Sequence, residues 1–407
     1  MSVQLPNDIV LYVARLRCVH PEYYDYISID GPCPLDVPPY SHPQDWCPQE
    51  VLLVSSAVYS MASLYSWDCA LLMSQHALPS IQAAIRRRSL IRGESRLPRD
   101  IIRCLDLDFD LRFACNQLPQ LISGLPHLDT VVLSHSVSSM LLFCDSTRSP
   151  SIINPLPLPS PFPSSLRAVL FSDTVYRVKM EDIVLLSLMV PQLERLQVAK
   201  FVVVGNASLQ YEVTAPSYLF PALKWLAIGG FERSSVDIHH PSAVSLTVFL
   251  DAVSTGSGLP SLRRLDILTD IQIPEQFLHV HGSLIKCLSV SGAHHDCLRL
   301  ENTFTRFEAL EHLIILANPS LSPMPRSPNQ SLTRITVYRP RSPRNLLLPH
   351  ADVLTQAHDI ITEIIAMSPR CPTLETVTFV PPHEPLAQEW IAQQQERILP
   401  TSITLSF

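Results

Sequence analysis

Apolar and polar positions alternate along this chain in a short phrase that keeps returning. An apolar residue, often followed by Pro, precedes Leu, two variable residues, Leu or Val, one variable residue and a further apolar residue. The phrase reads LPHLDTVVL at 125–133, VPQLERLQV at 190–198, FPALKWLAI at 220–228 and LPSLRRLDI at 259–267. It returns as FEALEHLII at 307–315, the looser SLTRITV at 331–337, and CPTLETVTF at 371–379. FPSSLRAVLF at 162–171 and SLIKCLSV at 283–290 carry one added residue. The period-two alternation predicts strands at 67–72, 102–107, 129–133, 167–171, 194–198, 224–228, 263–267, 286–290, 311–315, 333–337 and 375–379. Helical periodicity falls between them. In 352–366, Val353, Leu354, Ala357, Ile360, Ile361, Ile364 and Ile365 share one stripe, with Asp352 placed to cap it. Residues 181–190 and 244–253 are apolar nearly all round, as helices buried between neighbours are, and 386–398 reads as a terminal amphipathic helix.

A strand with two inward apolar residues and one short helix cannot bury its own core. Stacked copies join those faces into a continuous one. The predicted fold is therefore α/β, a leucine-rich-repeat solenoid over 67–407 with a curved parallel sheet on one side and helices on the other. The same alternation fits a doubly wound sheet; recurrence of the phrase itself favours the solenoid.

Upstream, residues 5–16 (LPNDIVLYVARL) carry Pro6 and Asp8 in a first turn and Ile9, Val10, Val13 and Leu16 on one face, which predicts a short helix. Residues 49–64 resume a helical pattern after a Pro- and Tyr-rich insert at about 19–48 that has neither period. The pair LPNDIVLYV and LLVSSAVYSMASLY resembles the F-box as found in fungal F-box proteins, a family whose F-box is often followed by leucine-rich repeats. The resemblance rests on Leu5, Pro6, Asp8 and Ile9, then Leu52, Leu53, Val54, Ser55, Ala62, Leu64 and Tyr65. The sequence departs from the family in the long insert and in Ala14, where a large apolar residue is usual. The resemblance implies a small helical cap over residues 1–66. It also implies docking of Leu5, Pro6, Ile9, Leu52, Leu53 and Val54 on the adaptor subunit of a cullin-type ubiquitin ligase.

Composition narrows the function. Of 407 residues, 46% are apolar and only 16% charged, so a large core is available. The net charge of −7 disfavours general nucleic-acid binding. The 10 glycines against 37 prolines disfavour Gly-rich nucleotide loops. Ten cysteines show no CxxC pair, and several sit in apolar strands, so buried reduced thiols in a cytoplasmic or nuclear protein are expected. No secretory leader or membrane-spanning run is visible.

No nucleotide-binding, zincin or nucleophile-elbow motif is present, and no cofactor is expected. His279, His281, His294, His295, Asp296 and Cys297 form the densest potential metal cluster, but loop histidines explain them better than zinc spacing does. Two Gly in TGSGLP, 255–260, read as a turn. The run Arg86, Arg87, Arg88, Arg92, Arg96, Arg99 and Arg103 reads as a solvated helix face. The Pro/Ser-rich 149–165 and the Arg- and Ser-Pro-bearing 317–350 read as surface loops.

The residue before the second apolar position of each strand should form a column on the open sheet surface: Thr130, Ala168, Arg195, Trp225, Arg264, Cys287, His312, Arg334, Thr376. Arg, Trp and His enrich its middle and are good contact residues. With Gln197, Asp266 and Tyr338 beside it, this face is expected to bind a protein segment, preferably acidic. The sequence thus points to a non-enzymatic substrate-recognition adaptor of a ubiquitin ligase. The other reading is a repeat scaffold or sensor with no ligase role, its N-terminal helices only sealing the solenoid's end.

Overall fold

In the computed structural model the described residues are 69–72, 77–86, 97–107, 118–133, 162–171, 178–198, 201–202, 219–229, 241–254, 258–267, 271, 273–291, 304–316, 329–338, 350–380 and 388–406. The predicted F-box-like region and its insert lie outside them. So do Arg326, Arg339, Arg341 and Arg344 of the basic loop, and most of the Pro/Ser-rich segment. The chain divides into two compact units. Described residues up to Val198 belong to the first; Phe201–Val202 and those from Leu219 onward belong to the second.

The recurring phrase folds as a tight turn feeding a strand. The N–H of Leu128 donates to the Leu125 carbonyl at 3.2 Å, and the same bond joins Leu193 to Val190 (3.0 Å), Leu223 to Phe220 (3.0 Å), Leu262 to Leu259 (3.1 Å), Leu310 to Phe307 (3.1 Å) and Leu374 to Cys371 (3.0 Å). Pro126, Pro191, Pro221, Pro260 and Pro372 stand second in their turns, where the fixed proline φ is already correct. The Leu that closes each turn is buried to within 2%. At 329–332 Asn329 replaces the apolar residue, and its side-chain oxygen takes the Leu332 N–H (3.0 Å) while its amide donates to the Phe307 carbonyl (3.1 Å).

Each turn is tied to its predecessor. Two successive N–H groups at a strand's start donate to one carbonyl of the preceding repeat: Asp129 and Thr130 to Arg103, Arg263 and Arg264 to Lys224, Lys286 and Cys287 to Arg263, Glu311 and His312 to Lys286. Turn hydroxyls add cross-links, from Ser165 to the Pro126 carbonyl (3.0 Å), Ser261 to Pro221 (2.6 Å) and Thr373 to Gln330 (2.9 Å).

In the first unit β1 (Cys69–Leu72), β2 (Cys104–Leu107), β3 (Thr130–Leu133), β4 (Ala168–Phe171), the two-residue β5 (Val178–Lys179) and β6 (Arg195–Val198) accompany helices α1 (Ala77–Arg86), α2 (Leu118–Ser123) and α3 (Met180–Met189). The second unit holds β7 (Phe201–Val202), β8 (Trp225–Ile228), β9 (Arg264–Ile267), β10 (Cys287–Ser291), β11 (His312–Leu316), β12 (Arg334–Tyr338), β13 (Thr376–Val380) and β14 (Thr404–Ser406). Its helices are α4 (Pro241–Ser254), α5 (Glu275–His281), α6 (His350–Met367) and α7 (Gln388–Ile398).

Pairing in the first unit runs β1-β2-β3-β4-β6, and in the second β8 through β14 in chain order; every one of these pairings is parallel. A doubly wound sheet reverses its strand order at a switch point. Neither unit does, so each is an α/β stack of consecutive repeats, as in a solenoid.

Four predicted helices form within a few residues of their expected ends. α6 starts at His350, so Asp352 lies inside its first turn and not at the cap. α3 is not buried all round: Ile183 and Leu186 are buried, whereas Leu188 is 51% exposed. α4 buries Leu246, Phe249, Leu250 and Val253; it packs on α5, and Phe249 meets Phe201 with ring centroids 5.1 Å apart. No helix among the described residues is long and apolar enough to cross a membrane.

The expected open sheet surface is corrected. Positions two and four of each strand form the apolar core, as predicted, but the alternate positions are largely buried too. Ala168, Leu170, Gln197, Trp225, Ala227, Arg264, Asp266, Cys287, Ser289, His312 and Ile314 are all at most 5% exposed. The physical reason is visible in their types: Ala168, Leu170, Ala227 and Ile314 are apolar, as in parallel strands covered on both faces. The row opens in β12–β14, where Arg334, Thr336, Thr376 and Thr378 are half-buried and Thr404 is exposed, and at Cys104, Thr130 and Arg195 of the first unit, which are half-buried.

Because the turn leucine is the apolar anchor of each repeat, Leu262→Ala should cost about 2–5 kcal/mol. A urea midpoint shift in the full chain, with the slope unchanged, checks this.

Candidate functional site

Register delivers the predicted column. Within the first unit Cys69, Cys104, Thr130, Ala168 and Arg195 are successive ladder partners. Within the second, Trp225, Arg264, Cys287, His312, Arg334, Thr376 and Thr404 are. Tyr338 ends β12, its backbone paired with Leu316 and Val380. Asp266 lies two residues beyond Arg264 on its strand and so shares the face. Gln197 occupies the matching position in β6 and is buried.

Three of the expected contact residues are occupied with each other. Arg264 Nε donates to Asp266 Oδ1 at 2.9 Å, with both side chains fully buried. The Trp225 indole N–H donates to the other carboxylate oxygen, and the Arg264 guanidinium sits 4.4 Å from the Trp225 ring centroid. Strand periodicity puts Arg264 and Asp266 on one side, and the adjacent strand supplies Trp225. This cluster neutralises its own charge inside the fold and presents none to a partner.

The next strands build a second network. His312 Nδ1 faces an Arg334 guanidinium nitrogen at 3.1 Å and Cys287 Sγ at 3.8 Å; its Nε2 lies 2.8 Å from Thr336 Oγ1. Guanidinium can only donate, so Nδ1 is the acceptor and the ring proton sits on Nε2, donating to Thr336. Burial first, then repulsion from Arg334 and Arg264, lowers the His312 pKa to about 3. The ring is therefore neutral at neutral pH. Cys371 is a buried free thiol whose pKa is raised chiefly by desolvation.

Along the starting ends of β9–β13 this network opens into a groove of about 480 Å³. Arg263, Lys286, Cys287, Glu311, His312, Thr333, Arg334, Glu375 and Thr376 line it. Lys286 and Glu311, each half exposed, pair across it at 2.5 Å. Of the residues expected from the column, Cys287, His312, Arg334 and Thr376 line this groove. Trp225, Arg264 and Asp266 do not line it, and Arg195 and Gln197 belong to the other unit.

Sequence reasoning missed Arg263, Lys286, Glu311, Thr333 and Glu375. Their signal was a fixed place in the phrase, directly after the Leu or Ile that closes the turn. The predicted column lies one residue later, at the first strand position.

The six adaptor-docking residues, Leu5, Pro6, Ile9, Leu52, Leu53 and Val54, lie outside the described residues. His294, His295, Asp296 and Cys297 do as well. His279 and His281 do not flank a loop: both belong to α5, with His279 exposed and His281 buried. Among the described residues no group of three or more His, Cys, Asp or Glu is placed to hold a metal ion.

His281 is enclosed instead. Its ring lies tilted against Phe277, with centroids 4.8 Å apart, and its nitrogens have no hydrogen-bond partner among the described residues. A side chain on Gly258, which holds a φ of +59°, would meet its ring at 2.4 Å. Glycine at the predicted turn thus serves both the backbone and the histidine. Burial lowers the His281 pKa to about 4, partly offset by the nearby Val253 carbonyl.

No family model matches this chain, and no curated protein matches it.

Two outcomes follow from this geometry. Asp266→Ala leaves the Arg264 charge buried without its carboxylate, so it should destabilise by about 3–5 kcal/mol in urea unfolding. As pH falls from about 6.5, the unfolded chain protonates both histidines while the fold keeps them neutral down to about 4 at His281 and about 3 at His312. The unfolded state then binds more protons, so stability drops with falling pH, by up to about 1.4 kcal/mol per unit per group. His312→Gln should flatten the urea midpoint's dependence between pH 6 and 4.5; an unchanged slope would assign the acid sensitivity elsewhere.

Proposed function

We propose that this chain is a non-catalytic recognition protein. In this reading a leucine-rich-repeat domain holds a partner protein at the strand-start groove of its second unit. An F-box-like N-terminal region brings that partner to a cullin-type ubiquitin ligase. The observation that carries the recognition half is the groove. Five parallel strands bring exposed charges, half-buried threonines and the edge of a rigid His312–Arg334 network onto one surface. Such a surface offers directional polar contacts without an activated nucleophile or a metal site.

The ligase half rests on the resemblance of Leu5, Pro6, Ile9, Leu52, Leu53 and Val54 to the F-box pattern. By that resemblance the N-terminal helices bind the adaptor subunit and the repeats hold the protein to be ubiquitinated. The chain then acts by raising the local concentration of its partner near the ligase. No cofactor, nucleic acid or membrane enters this mechanism, and the cytoplasm or nucleus is where it would operate. Of the column residues, half-buried Arg334 contacts the partner, and the buried His312 holds it in place from beneath.

Adaptor co-purification with the full chain tests the first half: Leu5→Asp with Ile9→Asp should abolish it, with the repeat domain still folded. Absence of any adaptor would leave a repeat scaffold without a ligase role. Thr333→Arg with Thr376→Arg fills the groove and should reduce capture of a cross-linkable protein partner at least tenfold; unchanged capture places recognition on another surface.

A further inference from the structure

The residue immediately before each strand forms its own row, because its N–H and carbonyl join the inter-repeat ladder. In the second unit the links run Arg263 to Lys224, Lys286 to Arg263, Glu311 to Lys286, Thr333 to Glu311 and Glu375 to Thr333. The side chains along that row are therefore Lys224, Arg263, Lys286, Glu311, Thr333 and Glu375, in that spatial order. Three cations stand at one end, and two carboxylates flank a threonine at the other.

The equivalent row of the first unit is different. It reads Arg103, Asp129, Arg167, Glu194, alternating in sign at every step. Neighbours of opposite sign can neutralise each other, as Arg167 and Glu194 do at 3.7 Å. Blocked charge does the reverse. Like charges on neighbouring strands, about 4.8 Å apart, repel and weaken the fold slightly. Among the described ion pairs, the second row pairs internally at the junction of the two blocks, Lys286 with Glu311. Arg263 and Glu375 are both exposed, and neither makes an ion pair or side-chain hydrogen bond among the described residues. Both line the groove.

We infer that this stripe is the recognition surface for an extended, bipolar segment of a partner protein, with an acidic side chain over Arg263 and a basic one over Glu375. This rests on the reading of the groove as a protein-binding surface and adds the chemistry and spacing of what binds.

Charge excludes the other polymers. A nucleic acid or an anionic lipid surface that satisfied Arg263 would press phosphate against Glu375. Geometry sets the spacing. Arg263 precedes β9 and Glu375 precedes β13, four strand intervals apart, or about 19 Å. An extended chain rises about 3.3 Å per residue, so the two charged residues stand roughly six apart. An even separation also puts both side chains on the same side of the segment.

The test uses the full chain and three labelled peptides of identical composition, read by fluorescence polarisation. One has two Asp at its start and two Lys six positions later, with Ser, Thr and Ala between; the second has the order reversed; the third alternates the charges. One of the blocked peptides should bind about fivefold tighter than the alternating one, and raising salt to about 0.5 M should remove the difference. Arg263→Glu with Glu375→Lys turns the blocked row into an alternating one, like that of the first unit, and should abolish the preference for a blocked peptide, with the thermal unfolding midpoint little changed. Equal binding of all three peptides, or a preference that survives the exchange, overturns the inference. The two readings fail separately. If a cross-linked protein partner is lost on Thr333→Arg with Thr376→Arg but kept on the charge exchange, the groove binds protein and the bipolar stripe is wrong. If it is kept in both variants, the groove reading falls with it.

Discussion

One carbonyl per repeat carries the architecture. The backbone oxygen of the residue before a strand accepts two successive N–H groups from the next repeat, from Arg103 to Arg167 in the first unit and from Lys224 to Thr333 in the second. It sets the pitch from one turn to the next before any strand pairing begins. A buried leucine closes each turn beneath it, and proline in the turn removes conformational freedom that the unfolded chain would otherwise hold. Polar satisfaction at the turn and apolar burial beneath it are thus supplied by the same four residues. That coincidence lets short, irregularly spaced repeats keep a common register despite the long insertions between them.

Register then decides which side chains meet. Fixing the strand starts aligns every first strand residue with its neighbours, so Trp225, Arg264, Cys287, His312, Arg334 and Thr376 form one row whatever lies between their repeats. Where that row is buried, its polar members must satisfy one another. Arg264 and Trp225 both donate to Asp266, although one Arg264 guanidinium nitrogen makes no hydrogen bond among the described residues, and His312 is a neutral ring held between Arg334 and Thr336. A buried ion pair of this kind adds little net stability but is costly to break. It fixes the neighbouring side chains in place, which gives the groove beside it rigid walls.

The row one residue earlier is where the chain meets solvent. Its backbone is committed to the ladder, while its side chains remain exposed. Selection on sign can therefore act there with little cost to the fold. Alternating charges in the first unit and blocked charges in the second are two uses of the same backbone position.

Much of this could be read from the sequence. The phrase carries the turn, the strand and the inward leucines in its own letters, because their causes are local: proline geometry, period-two alternation and the need to bury a face. The column of first strand residues followed from the same alignment. The helices α3, α4, α6 and α7 were legible from their apolar content, although the exposure of Leu188 was not. Burial of much of the column was not legible, because period-two alternation gives the side on which a residue stands and not how much solvent reaches that side. Arg264 and Asp266 read as contact residues for that reason and proved to be partners of each other. The closing of His281 against Gly258, and the meeting of Arg263 with Glu375 along one groove, likewise needed the tertiary structure. Spacing along a chain determines which residue faces which side, but only packing decides what stands opposite it.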